Sequence, residues 1–218
     1  MKDYSKIVLK QLLLLGAFAA AFGYVEGAIA HYLRIHFYPE GFGVNLQLKA
    51  IDTHTLFVEV GRELATMVML AAAAALSRGS GARKFANFVY IFGIWDIFYY
   101  ISLYVFEGWP ASLITWDVLF LVPVPWFGPV LSPVLLSAIG ITWAVFVNVF
   151  EEKNKTVKFN YKITGLLAAG LVISLVSFVI DSPADTFPEK YHWELFALSI
   201  SVILASFGRF LYINRKNK

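Results

Sequence analysis

The chain has 218 residues, 59% of them hydrophobic and only 15% charged, with a formal net charge of +3 and no cysteine. Soluble domains carry about 25% charged residues, so this composition excludes an ordinary soluble fold and points to an all-α polytopic membrane helical bundle, a single integral-membrane domain over 1–218. Without cysteine there are no disulfides, thiolate nucleophiles, iron–sulfur clusters or thioether-linked haem, and a metal would have to be held by imidazole, carboxylate, carbonyl or water.

A hydrocarbon core about 30 Å thick takes about 20 apolar residues in a helix to cross. Six stretches meet that length. The first predicted span runs from Gln11 to His31. The lysines before it and Ala17-Phe18-Ala19 within it resemble a secretory signal, but the apolar pattern continues through Ile29 without a polar break. Glu26 lies between Gly23 and Gly27. That small-xxx-small spacing lets a neighbouring helix approach closely, so Glu26 is expected to face the bundle.

The second span, Thr55 to Leu76, is the most charged. At 100° per residue, Thr55, Glu59, Arg62, Glu63 and Thr66 share one face, and His54 falls off it towards the outer loop. The third span, Phe85 to Phe106, carries Asp96 on a face with Tyr99 and Tyr100, either of which is placed to donate to it. Next come Trp109-Pro110, an apolar run from Ser112 to Val122 too short to span, and then Pro123, Pro125, Pro129 and Pro133. Proline suits a first helical turn. The expectation is a short helix over 110–122, re-entrant or interfacial, carrying Thr115, Trp116 and Asp117. The remaining spans are Val130 to Phe150, Ile163 to Ile180 and His192 to Tyr212.

The charges sort by side. One side collects Lys2, Lys6, Lys10, Arg78, Arg83, Lys84, Lys153, Lys155, Lys158, Lys162, Arg209, Arg215, Lys216 and Lys218. The other holds Arg34, Lys49 and Lys190 with Glu40, Asp52, Glu107, Asp181, Asp185 and Glu189. This is the positive-inside pattern, with both termini cytoplasmic. It reads the basic residues as topology signals that meet anionic lipid, not nucleic acid. The expected location is the cytoplasmic membrane of a prokaryote.

Four carboxylates, Glu26, Glu59, Glu63 and Asp96, lie inside predicted spans. Each costs about 2.5–3.5 kcal/mol near the bilayer centre on insertion scales, which makes a functional role the default expectation. From helix rise, Glu59 lies about 6 Å, Glu26 about 7 Å and Glu63 about 12 Å below the outer end, with Asp96 near the midplane. Arg62 is the one base expected at that depth. His31, His36, His54 and His192 map to the same outer boundary.

The candidate catalytic set is therefore Glu59, Arg62, Glu63 and Asp96. Glu26, Glu59, Glu63, Asp96 and His31 are candidate metal ligands, with Tyr99, Tyr100 and Asp117 behind them. Bundles build di-metal carboxylate centres from such residues. One reading is thus a divalent-metal membrane enzyme acting on a lipid-like substrate. Against it, Glu59-x-x-Arg62-Glu63 stands where Glu-x-x-His would, and His-Glu-x-x-His is missing. The alternatives are a cation or proton carrier or channel component, a haem b protein using His31 and His192, and an accessory subunit of a membrane complex or oligomer. In the last case the Glu59–Arg62–Glu63 group is a structural ion-pair knot, Asp96 is protonated and hydrogen-bonded, and Trp95, Trp109, Trp116, Trp126 and Trp193 are interface or core aromatics.

Overall fold

A computed structural model of the chain describes residues 2–38, 52–122, 124–153, 157–180 and 187–215. Glu40, Lys49, Pro123, Lys155, Asp181, Asp185, Lys216, Lys218 and the side chain of Lys2, all used in the readings above, lie outside the described residues. The described residues form six long helices and one hairpin: α1 Lys2–Phe37, α2 Thr53–Ala75, α3 Gly81–Glu107, β1 Trp116–Phe120, β2 Trp126–Pro129, α4 Leu131–Glu152, α5 Tyr161–Val179 and α6 Trp193–Arg215.

Five of the six, all but α2, are long and apolar enough to cross a membrane. At 23 residues α2 has the length, about 34 Å at 1.5 Å per residue, but Glu59, Arg62 and Glu63 interrupt its apolar run. Burial shows what those charges do. Phe57 is 77% exposed on one side of α2, whereas Thr66 is 2% exposed on the other. Many large apolar side chains face outward while several polar ones are buried: Val105 and Leu13 lie open, while Asn87, Asn148, Glu26 and Asp117 are buried. A soluble surface rarely carries such extensive exposed apolar patches; a lipid-facing one does. The chain is an integral membrane protein.

The short helix expected over 110–122 is not there. Residues 116–120 and 126–129 form an antiparallel hairpin, with Trp116 opposite Pro129, Asp117 opposite Gly128 and Val118 opposite Phe127. The reason is local. Trp-Asp-Val-Leu-Phe is rich in residues that fit a pleated surface, and the proline-rich turn after it cannot continue a helix. A lone hairpin is marginal in water. This one is held by packing: Phe127 is buried, the Trp126 ring stacks on Phe178 at 6.5 Å, and Trp116 meets Tyr191 edge-on.

α1 packs along α3, α3 against α4 and α2, and α5 against α6. A Cβ on Gly23 would lie 2.6 Å from the Trp95 carbonyl oxygen, and one on Gly27 would lie 2.7 Å from Ser102 Cβ. The small-residue spacing thus does bring α3 onto α1, and Glu26 between the two glycines is buried. At the start of α2, Asp52 accepts from the His54 and Thr55 amides and from the Thr55 hydroxyl. The Thr55 hydroxyl foremost, and these amides, hold its carboxyl below the usual carboxylate range. His54 is an exposed residue of that first turn, not of a loop.

The opposite end is tied by amides and serines. Asn148 donates to Asn87 at 2.9 Å and Asn87 to Ser77 at 2.8 Å. The Ser80 hydroxyl donates to Glu151 at 2.6 Å, and Asn214 accepts from the Lys158 amide at 2.9 Å. Interhelical side-chain bonds of this kind contribute about 0.6 kcal/mol each in a membrane, at most about 1.7.

Candidate functional site

α1 reaches beyond its predicted end at His31 to Phe37, and that extra turn and a half brings Arg34 into the protein at 7% exposure. Arg62 is therefore not the one buried base on this side. The hydrogen bonds divide the predicted site into three groups.

In the first, Arg62 joins α2 to α1. Its Nη1 donates to Glu26 and its Nε to Glu59 at 2.8 Å, and Glu26 also accepts from the Thr66 hydroxyl at 2.7 Å. One guanidinium serves two carboxylates because its planar fork presents donors in two directions. Glu63, expected beside Arg62 as well, instead has both oxygens 3.1 Å from the Leu121 amide, where it holds the hairpin onto α2.

In the second, Arg34 donates to Glu107 at 2.5 Å and to Asp117 at 3.4 Å, and its guanidinium lies 3.8 Å above the Trp109 ring. His31 Nδ1 is 2.9 Å from the other Glu107 oxygen, and the Tyr100 hydroxyl donates to Asp117 at 3.0 Å. Tyr100 thus serves Asp117 and not Asp96. Tyr99 meets the Tyr100 ring edge-on at 5.1 Å and stacks on Trp95 at 6.5 Å.

The third is Asp96, whose bond is with α4: the Ser137 hydroxyl donates to Oδ2 at 2.8 Å. Gly93, one turn earlier, makes this possible, since a Cβ there would lie 2.9 Å from the Ser137 carbonyl oxygen. Asp96, Ser137 and Tyr100 sit in the wall of a cavity of about 520 Å³. It is bounded by α3, α4, α5, α6 and the hairpin through Leu119, Phe120 and Trp126, and apart from Ser174 and Ser206 the rest of its wall is largely apolar.

Among the described residues no three histidine, aspartate or glutamate side chains gather as a metal ligand set. The expected donors Glu26, Glu59, Glu63, Asp96 and His31 are engaged by Arg62, the Leu121 amide, Ser137 and Glu107 instead. For the haem reading, His31 lies on Glu107 and His192 on Glu194, each at 2.9 Å.

Arg34, Glu107 and Ser137 were the participants that sequence reading missed. Arg34 carried a signal: it is three residues from His31, a spacing at which two helical side chains reach one partner. Glu107 sat one residue beyond the predicted end of its span. Ser137 carried no signal. No protein-family model, curated protein or solved structure matches this chain.

Proposed function

We propose that the protein is a membrane enzyme that takes a lipid-like substrate into the cavity bounded by α3, α4, α5 and α6, with Asp96 as its acid–base group. The observation that carries this is the cavity wall. A volume of about 520 Å³ falls within the range of about 300–1,000 Å³ that holds small-molecule ligands, and such sites pair apolar walls with a few polar groups. Here Asp96 is the carboxylate in the wall, and among the described residues Ser137 is its hydrogen-bond partner. Its second oxygen is left for a substrate. In this reading the chemistry is acid–base, carried by the chain's own carboxyl; the donor set does not support the divalent-metal version.

All six helices cross in this proposal. The end bearing Lys6, Lys10, Arg78, Arg83, Lys84, Lys158 and Lys162 faces the cytoplasm, in keeping with the positive-inside rule, and the membrane is the cytoplasmic membrane of a prokaryote. The substrate then enters from lipid.

A proton-handling role is the second reading. It is favoured by the run of polar contacts from Tyr100 through Asp117, Arg34 and Glu107 to the partly exposed His31. It is the weaker of the two, because an arginine that does not deprotonate stands in the middle of the path.

The test incubates wild type and Asp96→Asn in nanodiscs with a total lipid extract and follows every species by mass spectrometry. Wild type is expected to convert at least one lipid and the variant to bind it unchanged. Wild type that alters no lipid, or a variant that converts it equally well, rejects the enzyme reading.

A further inference from the structure

We infer that the ligand of this cavity is an uncharged long-chain alcohol whose hydroxyl donates to the second oxygen of Asp96. This rests on the lipid-cavity reading above and adds the chemical class. Three observations lead to it.

The first is that the hydroxyls of the wall have already given away their protons. Ser137 donates to Asp96, Tyr100 to Asp117, Ser174 to Ser199 and Ser206 to the Ile163 carbonyl. The Trp126 indole N–H has no hydrogen-bond partner among the described residues but is covered by protein and so is closed to a ligand, and Trp143 packs beside Phe85 and Phe159. Near Asp96 the wall therefore offers acceptors, and the donor has to come with the ligand. A polar group brought here without a partner would lose its water for nothing.

The second is charge. Among the described residues no lysine, arginine or histidine lines the cavity. A carboxylate or phosphate head would sit beside Asp96 with no positive partner, the costly arrangement for a buried ion. The nearby arginines do not relieve it: Arg34 and Arg62 belong to the two other groups and hold four carboxylates between them.

The third is depth. Asp96 lies near the middle of α3, which spans Gly81–Glu107, so it is about 16 Å from one end and 22 Å from the other. A head group must shed its hydration to reach that point. A hydroxyl does so at small cost when it finds a partner; a phosphodiester does not. Phe88, Phe92, Leu136, Leu167 and Leu171 supply apolar wall for the chain behind it. A hydroxyl also suits either protonation state of Asp96, since it both donates and accepts.

The experiment uses diazirine-bearing C16 chains ending in a hydroxyl, a methyl ether, a phosphate monoester or a primary amine, photolysed on the protein in nanodiscs. Labels are mapped by mass spectrometry to α3, α4 and α5. The alcohol is expected to label these helices at about one-tenth the concentration that the ether needs, the factor of about ten that one buried hydrogen bond gives. Phosphate and amine should label more weakly than the alcohol. In Asp96→Ala the alcohol's advantage should vanish while ether labelling persists.

An ether that labels as well as the alcohol overturns the inference and leaves the cavity reading intact, and this comparison needs no variant. Stronger labelling by phosphate or amine overturns it too. Failure of all four chains to label these helices removes the cavity reading and the inference together.

Discussion

Two acidic regions lie within the same bundle and differ in what their carboxylates still need. Around α1, α2 and the hairpin, Glu26 has two donors, Glu59 shares the same arginine, Glu63 takes a backbone amide, and Glu107 and Asp117 divide Arg34 between them. In the cavity wall, Asp96 has one serine donor and an apolar surround. Burying charge in a membrane protein is costly in both places. In the first the cost is offset by partners within the chain, so the charges serve as a clasp between helices. In the second the pairing is incomplete, and that incompleteness is what a ligand can use. Unspent hydrogen-bonding capacity, more than acidity, marks the candidate site.

The comparison breaks most readily at Arg62. Arg62→Ala leaves Glu26 and Glu59 without their shared base, and removing one partner of a buried pair costs about 3–5 kcal/mol. Arg78 is exposed in the α2–α3 turn, and its backbone amide bonds Gln11. Arg78→Ala should therefore change stability by less than about 0.5 kcal/mol. Thermal unfolding of the two variants in the same detergent reads the difference, and equal melting temperatures would end the description of the first region as a clasp.

Arg34→Lys is the next largest. It keeps the charge but loses the fork that reaches Glu107 and Asp117 together and the plane that lies on Trp109. The expected loss is about 1.5–3 kcal/mol, the contribution of one hydrogen bond to a charged group. A lysine variant as stable as wild type would show that this arginine acts as a point charge alone.

These contrasts also show what the sequence could and could not convey. That the chain is built of long apolar helices was legible because apolar runs of membrane length have few other uses, and five of the helices are long and apolar enough to cross. The inward face of α2 followed from periodicity, and the contact of Glu26's neighbours with α3 from the Gly23–Gly27 spacing. The pairing was not legible. Nothing local says that Glu63 will turn to the Leu121 amide, or that Tyr100 will choose Asp117 over Asp96, because those choices depend on where a hairpin 58 residues from Glu63 and 17 from Tyr100 comes to rest. The hairpin itself was misread as a helix. Its proline after a tryptophan looked like a helix start, and the β-forming character of Trp116–Phe120 carried less weight than it should have. Arg34 was read only as a charge beyond the membrane because the first span was ended at His31, although a helix does not stop at the membrane surface.

Glu63 offers a finer test of the clasp. Glu63→Gln retains an acceptor for the Leu121 amide, whereas Glu63→Ala leaves that amide unpaired, at a cost of about 1–3 kcal/mol if it stays covered. Hydrogen exchange at Leu121 reads this directly: fast exchange in the alanine variant, and near wild-type protection in the glutamine one. Equal protection in both would mean that the hairpin is held by Trp126, Phe127 and Trp116 alone.

The smallest effect on stability is expected at Asp96, and there it should part company with function. Asp96→Asn keeps the shape and an acceptor for Ser137, so stability should move by less than about 1 kcal/mol, the range of an ordinary hydrogen bond. Turnover of the lipid should nevertheless be lost, because an amide cannot take up or release the proton that a carboxyl can. Thermal unfolding and lipid turnover measured on one preparation separate the two regions. A variant that unfolds as readily as Arg62→Ala places Asp96 among the clasp residues, and one that keeps full turnover takes the acid–base role away from it. The contrast between the regions survives only if stability follows Arg62 and chemistry follows Asp96.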